Sequence, residues 1–158
     1  MVRGAFAGRA SIGLPLLWAL GVVSVDQVAK AAIRALLLPG ASFPADGPFR
    51  LTHVTNTGAA FGILANQGSL LTIVSLAAVV VLVWYYRSIG LDQALVRASL
   101  GLQLGGAVGN LVDRLRQGYV TDFLDFRIWP VFNLADASLT IGVALLFFVV
   151  IFQRRALG

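Results

Sequence analysis

Between Gly109 and Asp136 the chain reads G-N-L-V-D-R-L-R-Q-G-Y-V-T-D-F-L-D-F-R-I-W-P-V-F-N-L-A-D, and this stretch holds Asp113, Asp122, Asp125 and Asp136. The 158-residue protein has seven acidic residues, all of them Asp, so most of its carboxylates fall here, between two long apolar runs. A carboxylate at the edge of a bilayer is costly unless it is paired, hydrated or neutralised, which makes acids in such a place candidates for chemistry. Two carboxylates that converge in a low-dielectric site cannot both stay ionised, so they share a proton. One then acts as general base on a water while the other protonates the carbonyl or the leaving amine. That is the aspartyl-protease arrangement. Spacing alone leaves several pairs open among the four acids.

Other hydrolytic chemistries find little to work with. The chain has no cysteine, which removes disulfides, thiolate nucleophiles and cysteine metal sites together. It has one histidine, His53, so a zinc site built on imidazoles is not expected. No Ser-centred motif is present. We therefore expect neither a metal nor an organic cofactor.

Several polar residues stand where they can serve the acids, and each also has a plainer reading. Asn110, Asp113 and Arg114 lie at i, i+3 and i+4, so all three can share a helix face, with Asp113 and Arg114 as a boundary ion pair. Asn133 and Asp136 have the same i, i+3 spacing, which also suits a helix N-cap and an acid in the first turn. Asp122, flanked by Thr121 and Phe123, reads as a loop residue and has no capping role. Asp26 and Lys30 stand at i and i+4, the spacing of an ion pair, either snorkelling at the membrane edge or supporting the site. Asn56-Thr57 precedes a small-residue run in which Gly58 and Gly62 suit close helix packing.

The elements that must position these groups are membrane spans. The chain is 58% hydrophobic and 12% charged, with a mean hydropathy of +0.86, outside the range of a water-soluble domain. A span takes about 20 residues, so four spans and their connections use nearly the whole length as one integral membrane domain. They are expected at about 10–38, 69–86, 93–112 and 134–152, with extracytoplasmic segments at about 39–66 and 113–133. A basic start, an apolar run and Ala29-Lys30-Ala31 imitate a cleaved leader, but further spans follow and Lys30 is a poor cleavage-site residue. Span two closes on Trp84, Tyr85 and Tyr86, an aromatic belt. Span three carries Gly101, Gly105 and Gly109 at four-residue intervals, a face for tight helix packing. Pro39-Gly40, Pro44, Gly47 and Pro48 break any helix, and F-R-L-T-H-V from Phe49 to Val54 reads as a strand at the membrane surface.

Four spans place both termini on one side. Lys and Arg divide six against six between the two sides, so their count does not fix the orientation. The acids do divide: Asp92 alone falls on the side of the termini. A net charge of +5 could suggest nucleic acid, but the twelve basic residues are scattered and form no run, and nucleic-acid binding is excluded on that ground.

In order along the chain, D-Q-V-A-K at Asp26, N-T-G-A-A-F at Asn56, G-N-L-V-D-R at Gly109, V-T-D-F at Val120 and F-N-L-A-D at Phe132 resemble the sequence blocks of the bacterial lipoprotein signal peptidases, signal peptidase II. The resemblance covers about residues 26–142. It implies a mainly α, polytopic protein of four transmembrane helices with a small β layer at the outer membrane face, to which 43–55 and 126–131 would contribute. It implies a multi-pass, monomeric aspartyl endopeptidase of the bacterial cytoplasmic membrane, with both termini cytoplasmic and the site extracytoplasmic. Its substrates would be prolipoproteins, held with membrane lipid and cut just before a cysteine that carries a diacylglyceryl group. The family's catalytic aspartates map to Asp122 and Asp136, and its supporting residues to Asp26, Lys30, Asn56, Asn110, Asp113, Arg114 and Asn133. Thr121 stands where the family commonly has a second Val. A small proton-coupled transporter is the alternative, since intramembrane Asp, Lys and Arg also line proton paths, but the halves show no self-similarity. A purely structural subunit packing through its glycines leaves Asp122 and Asp125 without a purpose.

Overall fold

A computed structural model describes residues 13–58, 68–88 and 94–153. Its elements are α1 (Gly13–Leu36), β1 (Ser42–Phe43), β2 (Arg50–Asn56), α2 (Gly68–Ser88), α3 (Ala94–Gln117), β3 (Val120–Asp125) and α4 (Leu134–Phe148), which runs on as a π-helical turn over Val149–Gln153. The fold is mainly helical with one small antiparallel sheet.

The helices gather around α3, which packs against α1, α2 and α4. Its glycines permit that closeness. A Cβ at Gly105 would stand 2.7 Å from Val22 Cβ and 2.9 Å from Ala19 O, so only glycine lets α1 lie this near. At Gly109 the added carbon would stand 2.9 Å from Asp26 Oδ2. The spacing seen in the sequence is thus a packing face, and at Gly109 it also makes room for a carboxylate.

Polarity is inverted relative to a protein folded in water. Asp26, Lys30, Asn110, Asp113 and Asn133 are buried, while Leu17, Val28, Ile73 and Phe147 are exposed. Lipid makes this favourable, since apolar side chains lose nothing by facing it and polar ones must find partners inside. Among the described residues, two helices are long and apolar enough to cross a membrane, Gly13–Leu36 and Leu134–Phe152. The apolar part of α2, Ser69–Tyr85, is shorter. In α3 the polar residues Gln103, Asn110 and Asp113 turn inward.

Helix ends follow local chemistry and correct the expected bounds. α1 ends at Leu36, ahead of Pro39 and of Gly40, whose φ is +84°. α3 runs past Val112 to Gln117 and closes on Gly118 (φ +79°), whose N–H reaches the Arg114 carbonyl at 3.0 Å. α4 opens on the Asn133 cap: the Asn133 side chain accepts from the Asp136 N–H, and the Asp136 carboxylate faces the Asn133 N–H. The expected contact through Gly62, the turn at 89–92 and both chain ends lie outside the described residues.

The sheet has the order β1-β2-β3, all antiparallel. Its third strand is not the expected 126–131 but Val120–Asp125, so Asp122 sits on a strand and not in a loop. Val54 pairs with Asp122 and Asn56 with Val120. Phe132 contributes one isolated bridge to Leu124. Residues Val120 to Phe123 are buried in succession, so β3 shows none of the alternation that betrays a half-buried strand.

Candidate active site

Asp122 and Asp136 line one cleft of about 610 Å³ together with Asn56, Asn110, Arg114 and Trp129. β3 supplies Asp122, the first turn of α4 supplies Asp136, and β2 ends at Asn56 opposite them. Five of the nine residues singled out in the sequence therefore face the cleft. The other four, Asp26, Lys30, Asp113 and Asn133, lie buried outside its lining.

The remaining acids of the central stretch are engaged elsewhere. Asp125 takes hydrogen bonds from Arg50 Nε at 3.0 Å, Thr52 Oγ1 at 2.8 Å and the Arg127 N–H at 2.9 Å. The Arg50 guanidinium holds its carboxyl below the usual carboxylate range. Asp113 is bound to Lys30 at 3.0 Å, and this corrects the expected pairing with Arg114. Arg114 instead donates to Ser75 Oγ at 3.0 Å, and its guanidinium lines the cleft. The expected Asp26–Lys30 pair is present at 2.8 Å.

Asp122 and Asp136 are held by neutral amides. Asn56 Nδ2 donates to one oxygen of Asp122 at 2.8 Å and Asn133 Nδ2 to the other at 2.6 Å. Asn110 Nδ2 donates to Asp136 at 2.7 Å. The orientation of Asn110 follows from its other neighbour. Lys30 has donors only, so at 3.0 Å it must face the Asn110 oxygen, and the NH₂ is left to face Asp136. Amides serve a titrating pair well because they hold it in place without a charge that would lock it in the ionised form. Burial, and then the charge of Asp136, raise the Asp122 carboxyl from an ordinary 3.8 to about 7.

Sequence reasoning passed over three contributors. Gln27 Nε2 lies 3.1 Å from both Asp113 Oδ1 and the Gly109 carbonyl. The Thr121 hydroxyl, fully buried, accepts from Arg34 at 3.0 Å and from Gln117 at 3.3 Å. Ser75 meets Arg114. Gln27 stands inside the D-Q-V-A-K block and was open to notice; Ser75 lies in an uncharged run and gave no signal.

The geometry offers two carboxylates and a cationic guanidinium in one partly enclosed space, which suits acid–base hydrolysis. Comparison with known proteins decides the family. A family model described as Signal peptidase (SPase) II matches residues 18–152. The chain belongs to the signal peptidase II family. It is 51% identical to a lipoprotein signal peptidase of Moorella thermoacetica over 132 residues, which span 83% of this chain and 88% of the relative. It is 44% identical to one from Halothermothrix orenii, covering 87% and 94%. Two solved structures, both bacterial membrane enzymes obtained by the in meso method, superpose with TM-scores of 0.82 and 0.81 at 34% identity, covering about nine-tenths of this chain. As a member of signal peptidase II, the protein is an enzyme of the bacterial inner membrane, an aspartic peptidase. These relatives do not favour the transporter reading.

Proposed function

We propose that Asp122 and Asp136 form a catalytic dyad that cleaves the signal peptide from prolipoproteins, just before a cysteine carrying a diacylglyceryl group. One observation carries this reading: the two carboxyls share a cleft in which Asp122 is held at about 7 by burial and by the charge of Asp136. A pair poised in this way keeps one carboxylate and one carboxyl near neutral pH. The carboxylate takes a proton from a water that attacks the scissile carbonyl. The carboxyl gives its proton to the departing amine, and the Arg114 charge stands near the oxygen on which negative charge develops.

All four helices cross the membrane in this reading, as one domain, with both termini cytoplasmic and the sheet at the extracytoplasmic face. The enzyme works as a monomer and needs no cofactor. Lipid recognition has a physical basis: each buried methylene is worth about 0.8 kcal/mol, so two acyl chains anchor the substrate where the peptide alone would not. Purified protein incubated with a diacylglyceryl-modified prolipoprotein should release the signal peptide at its expected mass. The same substrate with an unmodified cysteine should be cut far more slowly, and equal rates would remove lipid from recognition.

A further inference from the structure

Lys30 is fully buried on α1, and its ammonium makes three contacts, to Asp26 Oδ2 at 2.8 Å, Asp113 Oδ2 at 3.0 Å and Asn110 Oδ1 at 3.0 Å. Three donors meet three acceptors, so the group is saturated. Each contact then leads to one of the two cleft aspartates by a short route. Asp113 Oδ2 accepts the backbone N–H of Thr121 at 3.1 Å, and Thr121 is the residue before Asp122. Asp26 Oδ1 accepts the backbone N–H of Ala135 at 3.0 Å, and Ala135 is the residue before Asp136. Asn110 donates to the Asp136 carboxylate itself.

The two arms mirror each other: one ammonium, one buried acid on each side, and one backbone N–H immediately ahead of each dyad member. β3 and the start of α4 are joined by the exposed stretch Phe126–Pro130 and tied directly by the Leu124–Phe132 bridge and by Asn133. The Lys30 network adds a second tie, from α1 and α3, to the residue ahead of each aspartate. We propose that Lys30 is a positioning residue that sets the spacing of Asp122 and Asp136 through Asp113 and Asp26. This rests on the dyad reading above and assigns how its geometry is held. Gln27, which touches Asp113 Oδ1 and the Gly109 carbonyl, braces one arm against α3. Glycine at 109 gives Asp26 the space it occupies.

The plainer account is a buried ion network that serves stability alone, and such networks are poor stabilisers in general. The two accounts part on conservative substitution. Asparagine at 26 or 113 keeps an oxygen for the backbone N–H, whereas leucine keeps none. Misplacement of a reacting group by about 1 Å can lower the rate about a hundredfold. The experiment measures kcat and KM of Asp26→Asn, Asp26→Leu, Asp113→Asn and Asp113→Leu on lipid-modified prolipoprotein, per mole of folded enzyme, with Asp122→Asn run in parallel. We expect the leucine variants to lose about a hundredfold in kcat with little change in KM, and the asparagine variants to recover much of it. Wild-type kcat in a folded leucine variant, or equal losses in the asparagine and leucine variants, would overturn the proposal. Gln27→Leu, which removes no charge and is only part-buried, keeps the test open if the leucine variants do not fold: it should lower kcat several-fold, and an unchanged kcat would count against the arm. Activity in Asp122→Asn would instead strike the dyad reading.

Discussion

Asn133 donates its side-chain amide to Asp122 at 2.6 Å while its side-chain oxygen accepts the N–H of Asp136 at 2.9 Å. One residue therefore caps α4 and bridges the two acids. Its capping role, visible in the spacing, and its site role are not alternatives. They separate on substitution. Asn133→Ala should lose both the cap, worth about 1 kcal/mol, and the bridge. Asn133→Ser should recover the cap and most of the thermal stability, but a serine hydroxyl is too short to reach Asp122, so kcat should stay low. A serine variant with full kcat would show that the bridge is idle.

Asp122 ties activity and stability to pH in a definite direction. Its folded value of about 7 lies above the ordinary 3.8, because burial and then the Asp136 charge favour the protonated form. Its contribution to stability is therefore complete below about 3.8 and is lost as the pH rises through about 7. Thermal unfolding across that window should show this loss in the wild type and not in Asp122→Asn. Catalysis by a pair that shares one proton should decline over the upper part of the same window. Asn56→Ala removes a donor to the charged form, so the alkaline limb of its kcat/KM profile should move to higher pH. A limb that stays in place would detach Asn56 from Asp122.

Arg114 loses its expected partner Asp113 to Lys30 and stands free to serve the cleft, steadied by Ser75 at 3.0 Å. A donor that stabilises developing charge is worth about 2.7 to 4 kcal/mol in hydrolases. Arg114→Ala should accordingly lower kcat about 10²- to 10³-fold with a smaller effect on KM, and Ser75→Ala should show a weaker form of the same pattern. Steady-state kinetics decide this, and unchanged constants in Arg114→Ala would return it to an ordinary boundary charge.

Much of this was readable in the chain because membrane proteins state their polar business loudly. Against uncharged runs such as 69–86, every Asp and Asn in the blocks stands out, and all nine site residues lie in the cleft or buried beside it. Spacing did not pair the acids, and it was the resemblance of the V-T-D-F and F-N-L-A-D blocks that pointed to Asp122 and Asp136. Four carboxylates in 24 residues look alike in sequence, and only the fold gives Asp125 to Arg50 and Asp113 to Lys30. β3 was missed for a physical reason: with both faces buried its residues do not alternate, and acids at 122 and 125 read as loop. Lys30 and Asp113 are 83 positions apart, and no local pattern could announce their contact.

The central claim is that Asp122 and Asp136 together perform the cleavage. Each is replaced by Asn in turn, the variant is purified folded in detergent, and release of the signal peptide from a diacylglyceryl-modified prolipoprotein is followed by mass. Asparagine keeps the shape of each side chain and removes its ability to exchange a proton. Both variants should release no signal peptide while unfolding as cooperatively as the wild type. Substantial cleavage by either one would contradict the dyad.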